Sequence, residues 1–432
     1  MTIYEAGWIC PISSPPIRNG CLGVENGRIV EVGSAAGEGR IRFPGCAIIP
    51  GFVNTHTHLE LTILRGFLED LSFATWIPHL TQAKYQRLTY RELLTSARLG
   101  AMEMLASGVT CVGEVMDVGV SWQAMREFGL PGIAYQEVFG PAEQQADESL
   151  AGLRAKIDTY RQNESETLRA GVSPHAPYTV SARLFREVNE YAEREGLRLT
   201  THIAESAEEG LFVREGAGPF AERLRERAIP VSPVARSPVA YLDGLGLLRP
   251  ETLIVHAVDL DETDIEILRL KRPSVAHCPK SNAKLAHGIA RITEMKDAGI
   301  SIGLGTDSVA SNNAVDMFEE MRSAIFLQRG RTGRVDALDA PTAFRMATLG
   351  GAECLGLGEH LGSLDAGKRA DFAVVDLNDL SLQPVYDPIQ SMVYSASRLN
   401  IRATFLAGQV VQTRPDEILR ECGVIAETLR GN

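Results

Sequence analysis

Eight short apolar runs alternate with amphipathic stretches through the middle of this chain, and that alternation restricts it to a parallel sheet with helical crossovers. The runs end near His58, Glu114, Phe139, His175, His202, His256, His277 and Asp307. Between them apolar residues recur at helical spacing, as over 90–106, 181–195, 261–270 and 289–298. Eight such units close into a (β/α)8 barrel. The flanks read differently. In 21–33, Asn26-Gly27 joins two β-rich runs, a pair that favours a type I′ hairpin turn. Residues 369–377 and 401–411 are again strand, turn, strand. The expected architecture is therefore α/β: a TIM-type barrel over 51–357, with β-rich ends over 1–50 and 358–432 that can pair with each other in space.

With 432 residues, 44% of them hydrophobic and 23% charged, the chain can bury a large core without disulfides. A formal charge of −12 with no basic patch disfavours nucleic acid and anionic membrane surfaces as partners. Seven scattered cysteines without a CxxC pair suit a reducing compartment, and a cytoplasmic location is expected. Residues 1–10 carry Glu5 and lack a basic segment followed by an apolar one, so no export signal is expected. No apolar run approaches the roughly 18–20 residues that span a bilayer.

Active sites of such barrels lie at the C-terminal ends of the strands. Six of the nine histidines fall there. His56 and His58, at i and i+2 on a strand, face one side. With His202 on the fifth strand and Asp307 after the eighth they make three imidazoles and one carboxylate. That set suits one divalent ion, Zn²⁺ in the first place and Fe²⁺ also, which would bring the pKa of a water down to about 7. Glu205, three residues past His202, can act as a proton shuttle beside the metal. His256 is either a fourth ligand or a group that orients the attacking water, and the second role is favoured. Asp307 can both ligate and accept a proton.

Several motifs in order resemble the amidohydrolase superfamily, in its mononuclear deaminase and chlorohydrolase branch. They are Pro50-Gly51-Phe52-Val53-Asn54-Thr55-His56-Thr57-His58, His175-Ala176-Pro177-Tyr178-Thr179, His202-Ile203-Ala204-Glu205, His277-Cys278-Pro279-Lys280-Ser281-Asn282 and Gly305-Thr306-Asp307-Ser308. The resemblance implies that 1–50 and 358–432 form a small composite β-sandwich beside the barrel, with metal ligands at His56, His58, His202 and Asp307 and with Glu205 and His256 catalytic; Asp307 is counted catalytic too, as the proton acceptor above. Binuclear members carry a lysine where this chain has His175, so one metal is expected and His175 becomes a substrate contact. Trp76, Glu205 and Ser308 complete the expected substrate contacts, with helix packing the alternative for Trp76. The implied activity is hydrolytic deamination of a small-molecule nucleoside or heterocycle. Leu59-Glu60 after the second histidine is similar to the 6-aminodeoxyfutalosine deaminases of menaquinone synthesis. The methylthioadenosine/adenosylhomocysteine type carries arginines near the third strand, which Tyr135–Phe139 lacks. That type, a guanine or triazine deaminase or chlorohydrolase, and a non-catalytic scaffold are the alternatives. Pairing into a homodimer is left open.

Overall fold

The computed structural model describes residues 1–33 and 39–430. Strands β1 (Thr2–Ile9), β2 (Ile17–Arg18), β3 (Cys21–Glu25), β4 (Arg28–Gly33) and β5 (Arg40–Pro50) open the chain. The barrel strands follow: β6 (Phe52–Thr57), β7 (Val109–Met116), β8 (Gly132–Val138), β9 (Leu168–Pro174), β10 (Arg198–Ile203), β11 (Thr252–His256), β12 (Ser274–His277) and β13 (Ile302–Leu304). Then β14 (Phe372–Asp376), β15 (Ile401–Leu406) and β16 (Gln409–Val410) return to the first sheet. The two ends of the chain meet at β5, which runs parallel to β1 and antiparallel to β14. Asn26 and Gly27 both have positive φ (51° and 75°), as a type I′ turn requires.

Period-two alternation divides the apolar residues of this terminal sheet between two cores. Cys46, Ile48, Phe372 and Val374 fill a core of its own with Tyr4, Leu22 and Phe405. Their neighbours Ala47, Ile49, Ala373 and Val375 face the main core shared with the barrel.

The eight barrel strands are parallel neighbours in chain order. Closure falls on the last pair, where a bridge joins Thr57 to Asp307 and the Asp307 N–H donates to His56 O at 2.9 Å. Glycine permits this approach: a Cβ on Gly305 would lie 3.0 Å from the His56 backbone, and one on Gly303 would lie 2.4 Å from Thr55 Cγ2. The lower lumen is packed with Val53, Cys111, Val115, Tyr135, Leu253 and Val255, and helix Leu349–Cys354 plugs it. The barrel is thus solid at its base, and only its upper end is free for chemistry.

The helix expected over 90–106 forms as Tyr90–Ala106, capped by a reciprocal Thr89–Glu92 box. One element was not anticipated. Asp416–Arg430 is a helix, with Ile425 and Leu429 buried and Glu421 accepting from Thr95 on helix Tyr90–Ala106. Its stripe Ile418, Cys422, Ile425 and Leu429 has helical spacing, which was the available signal. No helix among the described residues is long and apolar enough to cross a membrane.

Candidate active site

Four groups converge where the barrel closes. Asp307 Oδ1 lies 3.3 Å from His56 Nε2 and 3.5 Å from His58 Nε2. The His202 ring sits 5.0 Å from that of His56 and 5.6 Å from that of His58, centroid to centroid. His202 Nδ1–H donates to the His175 carbonyl at 3.1 Å, which leaves the Nε2 lone pair free for a metal. Asp307 Oδ2 accepts from Ser281 Oγ (2.5 Å) and Ser311 Oγ (3.0 Å), so Oδ1 is the oxygen left to face the imidazoles.

Burial tunes these groups for ligation. It pushes His58 down to about 3 and His175 to about 4, and holds His56 and His202 below the ordinary histidine value, so the imidazoles are neutral donors. Burial, the largest single influence, would push Asp307 up, but His56, His256 and His58 beside it together outweigh this and the carboxyl stays well below its usual range. Neither ring nitrogen of the fully buried His56 has a hydrogen-bond partner among the described residues. Buried polar atoms are rarely left so, and a cation held by His56, His58, His202 and Asp307 would satisfy them.

The aim of these side chains is a tertiary feature. Phe52 faces the outer core and Val53 the lumen, so strict alternation would turn His56 outward. The ladder to β7 slips register between Asn54 and Thr57, and this bulge re-aims both histidines inward. On β11, Leu253 and Val255 face the lumen, so His256 would also point away; its φ of +75° turns it back. Ala204, Ala257 and Asp307 share this left-handed backbone (φ 50°, 49° and 58°). Such conformations in non-glycine residues cluster at functional sites.

Glu205 is 5% exposed and its Oε1 stands 3.5 Å from His256 Nε2 and 3.3 Å from His287 Nε2. Burial raises its pKa, and the two imidazoles more than offset this, so it remains a carboxylate. His256 Nδ1–H donates to Asn282 Oδ1 (2.9 Å), which fixes the ring and leaves its Nε2 toward Glu205. Beneath the loop, the Glu209 carboxyl accepts from Ala204 N–H and Glu205 N–H, each at 2.9 Å, and so sets the backbone from which Glu205 projects.

Above this floor opens a cavity of about 790 Å³. His58, Trp76, His175, His202, Glu205, His256, Asp307 and Ser308 all line it, with His56 buried beneath. The Trp76 indole Nε1 is buried and has no hydrogen-bond partner among the described residues. His175 Nδ1 is bonded to Thr179 Oγ1 (2.7 Å), and its Nε2 is 3.9 Å from Glu137 Oε1. Ser308 is committed locally, since its Oγ caps the turn at Ala310 N–H. His277 reaches a strand end but not the cavity.

Glu60 departs from the role its position suggested. It is not in the cavity wall; it accepts from the N–H groups of Asp117, Val118 and Gly119 and pairs with Lys84 (3.1 Å). Sequence reasoning also missed Glu137, His287, and the arginines Arg223 and Arg227 of the cavity wall. Glu137 stands at the end of β8 and was within reach of the strand-end rule. The others come from crossover segments, where no periodicity marks them.

Glu320 supports the site from behind. It accepts from Asn312 Nδ2 (2.7 Å), which also donates to the Thr306 carbonyl (2.6 Å), one residue before Asp307. Burial pushes it up to about 8, the positive charge of Lys280 and the Asn312 bond notwithstanding. The folded chain therefore keeps a proton that the unfolded chain releases near pH 4.3. The associated stability is full below that value and is lost as pH rises to about 8. Glutamine has no proton to lose. Glu320→Gln is expected to gain on the parent by up to about 1.4 kcal/mol per pH unit between pH 5 and 8. A difference in unfolding free energy that stays flat across this range would refute it.

A barrel with a three-imidazole, one-carboxylate floor, beside a β-sheet built from both ends of the chain, is the architecture of a class of metal-dependent hydrolases. The amidohydrolase family pattern matches residues 47–411, and the chain belongs to that family. It is 36% identical over 374 residues to a 5-methylthioadenosine/S-adenosylhomocysteine deaminase of Pelotomaculum thermopropionicum, covering 86% of this chain and 81% of that one. It is 31% identical over 426 residues to a 5'-deoxyadenosine deaminase of Methanosarcina acetivorans, covering 96% and 94%. Among solved structures, a zinc-bound adenosine deaminase from Xanthomonas campestris superposes with a TM-score of 0.89 at 29% identity, over 100% of this chain and 99% of the other.

Proposed function

We propose that this chain is a metal-dependent hydrolytic deaminase of an adenine-containing nucleoside. The observation that carries the reading is the Glu205 carboxylate, buried beside a neutral His/Asp ligand set and held by two imidazoles on the cavity floor. His56, His58, His202 and Asp307 fit one divalent ion, and the zinc of the Xanthomonas relative supports Zn²⁺ over the Fe²⁺ that the set would also take. When bound, such an ion supplies Lewis-acid activation of water at neutral pH.

The chain's own residues supply the rest. Glu205 takes the proton released by the attacking water and passes it to the ring nitrogen beside C6. His256, oriented by Asn282, holds the water's remaining hydrogen or lone pair in line. Asp307, pinned through Oδ2 by Ser281 and Ser311, keeps Oδ1 facing the same point. A C–O bond forms at C6; the water's second proton, taken up by Asp307, passes to the exocyclic amine, the C–N bond breaks and ammonia leaves.

Within this class the sequence pointed to 6-aminodeoxyfutalosine, whereas the named relatives favour methylthioadenosine, S-adenosylhomocysteine or 5'-deoxyadenosine. The Leu59-Glu60 pair weighs less once Glu60 is seen outside the cavity. The test is ammonia release from the zinc-loaded protein with each of these nucleosides, adenosine, guanine and a chlorotriazine. Release is expected from at least one adenine nucleoside. Turnover of guanine or the chlorotriazine alone would overturn the reading.

A further inference from the structure

The cavity is more than a purine needs; about 790 Å³ lies in the upper part of the range for small-molecule sites. Its composition changes along its length. The histidines and carboxylates lie at the floor. The wall beyond is aromatic, with Tyr178 stacked on Phe220 at 3.9 Å and Phe73 edge-on to Phe220 at 6.0 Å. Phe220 and Arg223 belong to helix Pro219–Glu226 at i and i+3, and Arg227 is the residue that caps its C-terminus. Both line the cavity.

Within the cavity wall these two guanidinium groups differ from Lys84 in their partners. Among the described residues, no carboxylate lies within 4.0 Å of either, in a chain with 55 acidic and 43 basic residues. Arg223 bonds only the Ala74 carbonyl. The other cation in the wall, Lys84, is neutralised by Glu60 (3.1 Å) and Asp117 (3.2 Å). The uncompensated positive charge of the cavity therefore sits on one helix, past an apolar wall. A guanidinium fork matches a carboxylate or phosphate in geometry and charge.

We propose that Arg223 and Arg227 form a subsite for the anionic end of a nucleoside extended at its 5′ position, a carboxylate or phosphate reached across the aromatic wall. This proposal rests on the nucleoside reading above and narrows its substrate class.

The test is calorimetric binding to the zinc-loaded Glu205→Gln chain, which keeps the ligand from turning over. The ligands are S-adenosylhomocysteine (carboxylate), adenosine 5′-phosphate (phosphate) and methylthioadenosine (uncharged). At least one anionic ligand is expected to bind about 10-fold or more tighter than methylthioadenosine. That ratio is expected to fall about 10-fold or more in Arg223→Gln and in Arg227→Gln, and less in the lysine variants. Arg227→Gln keeps the test sound where Arg223→Gln disturbs the contact with Ala74. A ratio near one in the parent, or one unchanged in both glutamine variants, overturns the subsite. Absence of ammonia release with an intact ratio would instead overturn the deaminase reading and leave the subsite standing.

Discussion

Glu205→Gln is expected to lower turnover by about 10²–10⁴-fold while metal content stays at the level of the parent. The carboxylate is not among the four groups that face one another at the barrel seam, and its own partners are His256 and His287. Glutamine keeps the size and the hydrogen-bonding capacity but has no basic oxygen to take the proton from water. The loss should fall on kcat more than on KM, since proton transfer is felt in the transition state. Ammonia release and metal analysis on one preparation check both halves. Full turnover would remove Glu205 from the chemistry. Loss of metal together with turnover would make it a ligand.

His202→Ala is expected to weaken metal binding by more than about 100-fold, beyond the 10–100-fold typical when only an outer partner of a ligand is changed. Its Nδ1 is already spent on the His175 carbonyl, so Nε2 is the nitrogen with no other duty. Its loss leaves two imidazoles and Asp307 on one side of the site. Turnover should fall with metal occupancy and recover in part at high added Zn²⁺. Metal content and turnover equal to the parent's would refute the ligand assignment.

Much of this site was legible because chemistry-bearing residues stand at strand ends, and strand ends are visible as the last residue of an apolar run. His56, His58, His175, His202 and His256 all lie within one residue of an observed strand terminus. Glu205 and Asp307 followed from short spacings in the same segments. Arg223, Arg227 and His287 were illegible for the opposite reason. They sit on crossover segments whose path over the barrel mouth depends on packing between elements far apart in the chain. The place of Glu60 could not be read from its standing two residues after His58, since the turn after β6 carries it behind the wall to clamp the loop after β7.

By itself the sequence determined which residue types arrive at the barrel rim and in what order, because alternation of apolar runs and amphipathic helices admits one sheet order. It also determined that the two β-rich ends share a sheet. Where the ligands point was decided only in three dimensions. A bulge in β6 and a left-handed φ at His256 override the period-two pattern that would turn these rings outward. The bridge from Thr57 to Asp307, across the seam where Gly303 and Gly305 admit the first strand, brings the ends of the barrel sequence together so that His56, His58 and Asp307 face one another. Strand periodicity is local, but barrel closure depends on every strand at once.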